Sequence, residues 1–288
     1  MSHIFDALQR SEADGTGFGF PTPDSLVANL LKPLEQEAVI GQESQAIDFS
    51  HFPSLDISPS QNSRLVSLTD PSCLAAEKFR LLGVRLRQAQ QRRPVKKILI
   101  TSTIPEEGKT VVCGNLAVTL ARKKTQKILL LDGDLRRPAL ASRFGLQGLV
   151  GLSEWLRRDA SSLPNVYHLE QVGLWLLAAG HPPDNPLELM QSGRLADLLE
   201  RLCSWFDWVV IDSPPILPLA DTTVLARLAD GILLVAREAT SEKRQLEQGL
   251  QSLDQSKLLG VVLNGSTNAD HTNYYQRYGP LAEQASSR

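Results

Sequence analysis

"ILITSTIPEEGKTVVCGNLA", residues 98–117, decides how the rest of the chain is read. It runs from an apolar strand through a polar loop into a helix, and Gly108-Lys109-Thr110 stands where the loop becomes the helix. At such a junction, unpaired backbone N–H groups and the positive end of the helix dipole attract phosphate. Gly108 lets the backbone come close, Lys109 can reach the β- and γ-phosphates, and the Thr110 hydroxyl can bind Mg²⁺. The tripeptide alone is weak, because GK[ST] is common by chance and Thr103 replaces the first glycine of GxxxxGK[ST]. Taken by itself it reads as an ordinary helix start.

Two acidic strand ends change that reading. "ILLLDGDLRRP" (128–138) puts Asp132 and Asp134 just past one buried strand, and "WVVIDSPP" (208–215) puts Asp212 past another. In an open parallel sheet, ligands bind at the carboxyl ends of the strands. A single Asp there is usually a turn or a helix cap. Three at one edge are expected to converge on the phosphates and their metal, which predicts ATP and Mg²⁺ as the cofactors.

Working outward, further apolar runs appear at "LWLLAAG" (174–180), "GILLVA" (231–236) and "LLGVVLN" (258–264). Helical stretches separate most of them, including "GRLADLLERLCSWF", "DTTVLARL" and "SEKRQLEQGLQSL". Continuous Leu/Ile/Val runs signal strands buried on both faces, and strand–helix alternation signals parallel pairing. The expected fold is α/β, with a mostly parallel central sheet flanked by helices on both faces. Residues 1–70 read as largely disordered, with 13–70 rich in Ser, Pro, Gln, Asp and Gly, and 2–12 reading equally as one short amphipathic helix or as a frayed terminus. The globular domain is placed at 71–270, and a tail at 271–288.

Composition narrows the possible partners. A formal net charge of −2 over 288 residues gives no drive toward nucleic acid or anionic lipid. The three cysteines are far apart with no CxxC spacing, which suggests a reducing compartment and no thiolate metal site. No apolar run approaches the ~18–20 residues of a bilayer span, and no leader pattern opens the chain. A cytoplasmic protein without its own span is expected. Trp155, Trp175, Trp205 and Trp208 read as core or near-core aromatics.

With these residues in hand, the chain resembles the bacterial tyrosine kinases (BY-kinases), cytoplasmic autokinases of polysaccharide assembly, over residues ~71–288. "PEEGKT" is similar to their Walker A loop, "LLLDGDLRRP" to their Walker A′ motif and "VVIDSPP" to their Walker B. "LLAAGHPPDNPLELM" matches a segment of the form AGxxPxNPxELL, and a tyrosine-rich end is usual in the family. ParA/MinD-type ATPases share the general P-loop fold. They carry a signature lysine at the position of Ile104 and lack the terminal tyrosines.

The resemblance implies roles residue by residue. Glu107, Gly108, Lys109, Thr110 and Val111 form the nucleotide-binding loop. Lys109 would hold the transferring phosphoryl group and Thr110 would ligate Mg²⁺. Asp132 would be the general base, and Asp134 and Asp212 would position the metal, partly through water. Arg136 would either steady charge near the phosphates or form an ion pair within the fold. Asn264 would either contact adenine or serve as a turn amide. The implied partners are a second copy of the chain, possibly in a ring, and a separate transmembrane polysaccharide co-polymerase that activates the kinase. This implies a peripheral location at the inner membrane. One departure concerns assembly: the family's E-x-x-R-x-x-R helix reads here Glu77, Arg80, Gly83.

The chemistry gives the tail a purpose. A phenol titrates near 10, so only about one in a thousand is ionised at pH 7. A carboxylate in reach can take its proton as the new bond forms. Asp132 suits that task if the metal leaves one oxygen free. The chain has four tyrosines, and Tyr274, Tyr275 and Tyr278 are three of them. Tyr274 follows Asn264 by ten residues, roughly 33–36 Å if extended. These three tyrosines are the expected phospho-acceptors, with transfer between subunits implied by the resemblance. The competing readings are a ParA/MinD-like ATPase switch that labels no protein and a nucleotide-binding scaffold without catalysis.

Overall fold

A computed structural model of the chain describes residues 47–158 and 163–266. The apolar runs become seven strands, whose side chains enter two different cores. They are β1 (Lys97–Ser102), β2 (Ile128–Asp132), β3 (Val166–Leu169), β4 (Leu174–Leu177), β5 (Trp208–Asp212), β6 (Gly231–Arg237) and β7 (Leu258–Asn264). They form one sheet in the order β3-β4-β2-β5-β1-β6-β7. All neighbours pair in parallel except β3 with β4. Ile98 and Ile100 enter one core, whereas Leu99 between them enters the other. That alternation within an unbroken apolar run is what helices on both faces require.

The helices are α1 (Val66–Thr69), α2 (Leu74–Arg92), α3 (Lys109–Ala121), α4 (Leu140–Arg143), α5 (Leu152–Arg157), α6 (Pro186–Gln191), α7 (Arg194–Trp205), α8 (Asp221–Leu228) and α9 (Lys243–Gln251). Every residue of α3 except Lys109 and Val111 is buried. A helix apolar all round belongs in the middle of a domain, and its two uncovered residues are free to line a site. Gly83 of α2 is buried against α3, where an added Cβ would lie 3.5 Å from the Thr119 methyl. Trp155 and Trp208 are buried, and Trp175 and Trp205 pack at the margin of the core.

The fold corrects the sequence reading at two places. The folded body begins at Ile47 rather than at residue 71. Phe52 and Leu65 are core residues, the Leu55 N–H donates to the His168 carbonyl and the His168 N–H to the Pro53 carbonyl, both at 2.9 Å, and the Ser67 N–H donates to Asn115 Oδ1 at 2.8 Å. A few apolar anchors in a polar stretch were enough to fix it. The strand β3 was also unforeseen, because four residues on an antiparallel edge carry little pattern. The helix weighed for 2–12 and the tail at 271–288 lie outside the described residues. No helix among the described residues is long and apolar enough to cross a membrane.

Candidate active site

Strands β1, β2, β5 and β7 all end at one edge of the sheet, and each delivers a residue singled out by its sequence. The loop after β1 turns sharply at Gly108, whose φ of 92° lies in the left-handed region that glycine tolerates. An added Cβ there would meet Asn264 Nδ2 at 2.1 Å. Asn264, the last residue of β7, donates from Nδ2 to the Glu107 carbonyl at 2.9 Å. The missing first glycine of the loop now has an explanation. Thr103 is fully buried, is absent from the positive-φ residues, and donates from Oγ1 to the Glu107 carboxylate at 2.9 Å.

Glu107 therefore does not point its side chain toward a ligand. Its carboxylate is fully buried and also accepts from the Ile104 N–H at 2.9 Å and from the Ser241 hydroxyl. It braces the loop from within, so only its backbone can serve a bound nucleotide. Gly108, Lys109, Thr110, Val111 and Asn264 line a cavity of about 490 Å³, together with Arg64, Arg143 and Arg237. The three arginines were not foreseen, because no local motif marks them.

Asp132 and Asp212 are register partners at the ends of β2 and β5. Burial and the charge of Asp212 push Asp132 up to about 8, against the opposing N–H groups of Leu140 and Asp134. Those donors are long: Asp134 N to Oδ1 at 3.2 Å, and Ala139 and Leu140 N to Oδ2 at 3.2 and 3.1 Å. Burial likewise pushes Asp212 up to about 6, although Lys109 and the Thr110 hydroxyl hold it down. Lys109 Nζ lies 3.3 Å from Asp134 Oδ2. Its burial would lower its pKa, but Asp212 and Asp134 outweigh that and raise it. The other Asp134 oxygen accepts from the Arg137 N–H at 3.0 Å.

Residues 109, 132, 134 and 212 thus form one electrostatic unit. Neither buried oxygen of Asp212 has a hydrogen-bonded donor of good geometry. Among the described residues no three carboxylates, imidazoles or thiols form a ready-made metal cage. An orphaned carboxylate beside a threonine hydroxyl fits Mg²⁺, which keeps several waters and takes few protein ligands beside phosphate oxygens. Arg136 stands apart from this unit. Its guanidinium pairs with the buried Asp221, Nη2 lying 3.2 Å from Oδ1, so the ion-pair alternative is the one realised.

A P-loop at the mouth of a central parallel strand, with aspartates on two further strand ends, defines the class of P-loop ATPase folds of the ParA/MinD type. No protein-family model matches the chain. The chain is 18% identical to a solved ParA family ATPase from Chlorobium tepidum TLS at a TM-score of 0.52, covering 60% of this chain and 76% of that one. That similarity concerns the fold alone. It is 30% identical to the solved kinase domain of the Escherichia coli tyrosine kinase ETK, with a TM-score of 0.66 over 76% of this chain and 84% of that one. It is 35% identical over 212 residues to the tyrosine-protein kinase YwqD of Bacillus subtilis (strain 168), covering 73% of this chain and 89% of that relative. The chain belongs to the bacterial tyrosine-protein kinase family, and it is a protein-tyrosine kinase. It spans about a third of the length of several longer kinases that it also matches.

Proposed function

We propose that the chain transfers the γ-phosphoryl group of Mg²⁺–ATP to Tyr274, Tyr275 and Tyr278 of a neighbouring copy. The observation that supports this reading is the meeting of Lys109, Asp132 and Asp212 at one sheet edge, beside the cavity under the P-loop. Gly108 to Val111 cradle the polyphosphate with backbone N–H groups, and Asn264, whose amide donates to the Glu107 carbonyl, holds that loop in place. Bound Mg²⁺ would be held by Thr110, Asp212 and, through water, Asp134, where it neutralises phosphate charge. Lys109 leaves Asp134 to hold the transferring group. Asp132 accepts the phenolic proton as the new P–O bond forms and the bond to the departing ADP breaks. With its pKa raised to about 8 it would hold its own proton at pH 7, and the positive charge of Lys109 and of bound Mg²⁺ would be what ionises it for that role.

Each tyrosine phosphate adds about −1.5 to −2 charges, so a fully modified tail carries about −5. That charge expels the tail from a site holding ATP and loosens the assembly of copies. The kinase works beside a separate membrane-spanning activator, at the cytoplasmic face of the inner membrane. There it regulates capsule or exopolysaccharide polymerisation and export.

The test is incubation of the purified chain with labelled ATP and Mg²⁺, with and without a candidate activator peptide, followed by phosphoamino-acid mapping. Phosphotyrosine confined to the C-terminal peptide is expected, and it should disappear in a variant with all three tyrosines changed to Phe. Free phosphate with no labelled protein would instead identify an ATPase switch.

A further inference from the structure

Four cations line the cavity under the P-loop, and three of them are already engaged with the protein. Lys109 pairs with Asp134 at 3.3 Å. Arg143 Nη1 donates to the Asn62 carbonyl at 3.3 Å, and Arg237 Nη1 to the Glu106 carbonyl at 3.2 Å. The guanidinium of Arg64 has no hydrogen-bond or ion-pair partner among the described residues. Glu106 is the one anion lining the same space, so the cavity is strongly positive.

The backbone at Arg64 is unusual in a way that local sequence does not explain. Its φ of 58° and ψ of 22° are left-handed, at the end of a short 3₁₀ turn over Gln61–Ser63. A side chain with a Cβ is strained there, and Gly or Asn would be the undemanding choice. The surroundings enforce the conformation from both sides. Ser63 and Leu65 are buried, and Gly114 leaves room for Leu65, since an added Cβ at Gly114 would come within 2.8 Å of Leu65 Cδ2. Asn115, buried in α3, grips the strap. It donates from Nδ2 to the carbonyls of Arg64 and Val111, both at 2.9 Å, and accepts the Ser67 N–H at 2.8 Å. One buried amide therefore registers Arg64 against the first turns of α3, on the side of Val111.

Strain maintained by so many contacts is a mark of function when the strained residue faces a site. We infer that Arg64 is a nucleotide-contacting residue that binds the α- and β-phosphates. It does so from the strap over residues 60–67, which precedes the P-loop by some forty residues in the sequence. The guanidinium fork matches two phosphate oxygens at once, and the ammonium of a lysine does not. The inference rests on the nucleotide reading proposed above.

Calorimetric titration with Mg²⁺–ADP tests it, alongside thermal melting without ligand. Arg64→Ala and Arg64→Gly should each lower ADP affinity about ten- to a hundredfold, and Arg64→Lys should retain part of it. The glycine variant relieves the left-handed backbone, so its melting temperature without ligand should equal or exceed that of the parent. Affinities within twofold of the parent in both truncated variants would overturn the inference. So would a lost affinity in Arg64→Gly accompanied by a lowered melting temperature, because that would assign the residue to the fold. Failure of the parent chain to bind ADP would overturn the nucleotide reading itself, and the inference with it.

Discussion

Asp132 and Asp212 lie directly opposite each other on adjacent parallel strands, both buried, two carboxylates side by side where the sheet ends. Such a pair opposes folding until a cation arrives. Asp132, pushed up to about 8, carries the larger penalty, and a smaller one falls on Asp212, whose oxygens have no donor of good geometry but which Lys109 holds down. The folded pKa of Asp212, about 6, exceeds the ordinary 3.8, so the folded state holds the proton more tightly than the unfolded state. The destabilisation is complete at pH 7 and fades as pH falls through 6 toward 4. Asp212→Asn should stabilise the metal-free protein by on the order of 1–2 kcal/mol at pH 7 and flatten its pH dependence between 7 and 5. Tyrosine labelling should fall by about two orders of magnitude or more. Chemical denaturation at several pH values and a labelling assay check both halves.

Glu154 behaves in the opposite sense. Burial would raise it, but the N–H groups of His181 and Gly151 and the His181 ring hold it at about 2. Gly151 N and His181 N lie 2.7 and 2.8 Å from its two oxygens. A depressed pKa contributes stability above about 4.5 that is lost as pH falls through 2. Glu154→Gln should cost on the order of 2 kcal/mol at pH 7 and remove this acid-side loss. The melting temperature followed from pH 7 to pH 3 measures it.

Gly83 stands in the interior of α2 with 3.5 Å or more of clearance for a Cβ. Gly83→Ala should therefore stabilise the protein by about 0.5–1 kcal/mol through helix propensity alone. A melting-temperature rise of a few degrees is expected. Gly83→Arg, which would restore the family's assembly pattern, meets α3 and should destabilise.

Arg136→Ala leaves the Asp221 carboxylate buried without its partner. A cost of about 2–3 kcal/mol is expected, below the full figure for a buried pair because Arg136 is itself partly exposed and Asp221 sits in the first turn of α8. Affinity for Mg²⁺–ADP, measured at a temperature where the variant is folded, should change less than twofold.

The strands and the phosphate loop were legible because each rests on a local pattern: unbroken apolar runs, a glycine at the loop-to-helix junction, and aspartates at strand ends. Lys109, Asp132, Asp134 and Asp212 are close to one another for the same reason, since parallel pairing brings equivalent strand ends to one edge. What was hidden depends on contacts distant in sequence. Glu107 looked like a ligand residue until its partners proved to be Thr103, Ile104 and Ser241. Arg64 and the strap around it carry no periodicity, and their place is set by Leu65 and Asn115, some fifty residues apart in sequence.

The bond from Asn264 to the Glu107 carbonyl anchors the end of β7 to the phosphate loop. Whatever follows Asn264 in the chain starts its search for a catalytic centre from a fixed mooring at that centre's rim. A flexible tether of about ten residues would hold a phenol at an effective concentration in the millimolar range. Labelling by a molecule's own site would then proceed at a rate indifferent to dilution. Labelling by another molecule would slow in proportion to it, so a dilution series alone separates the two routes.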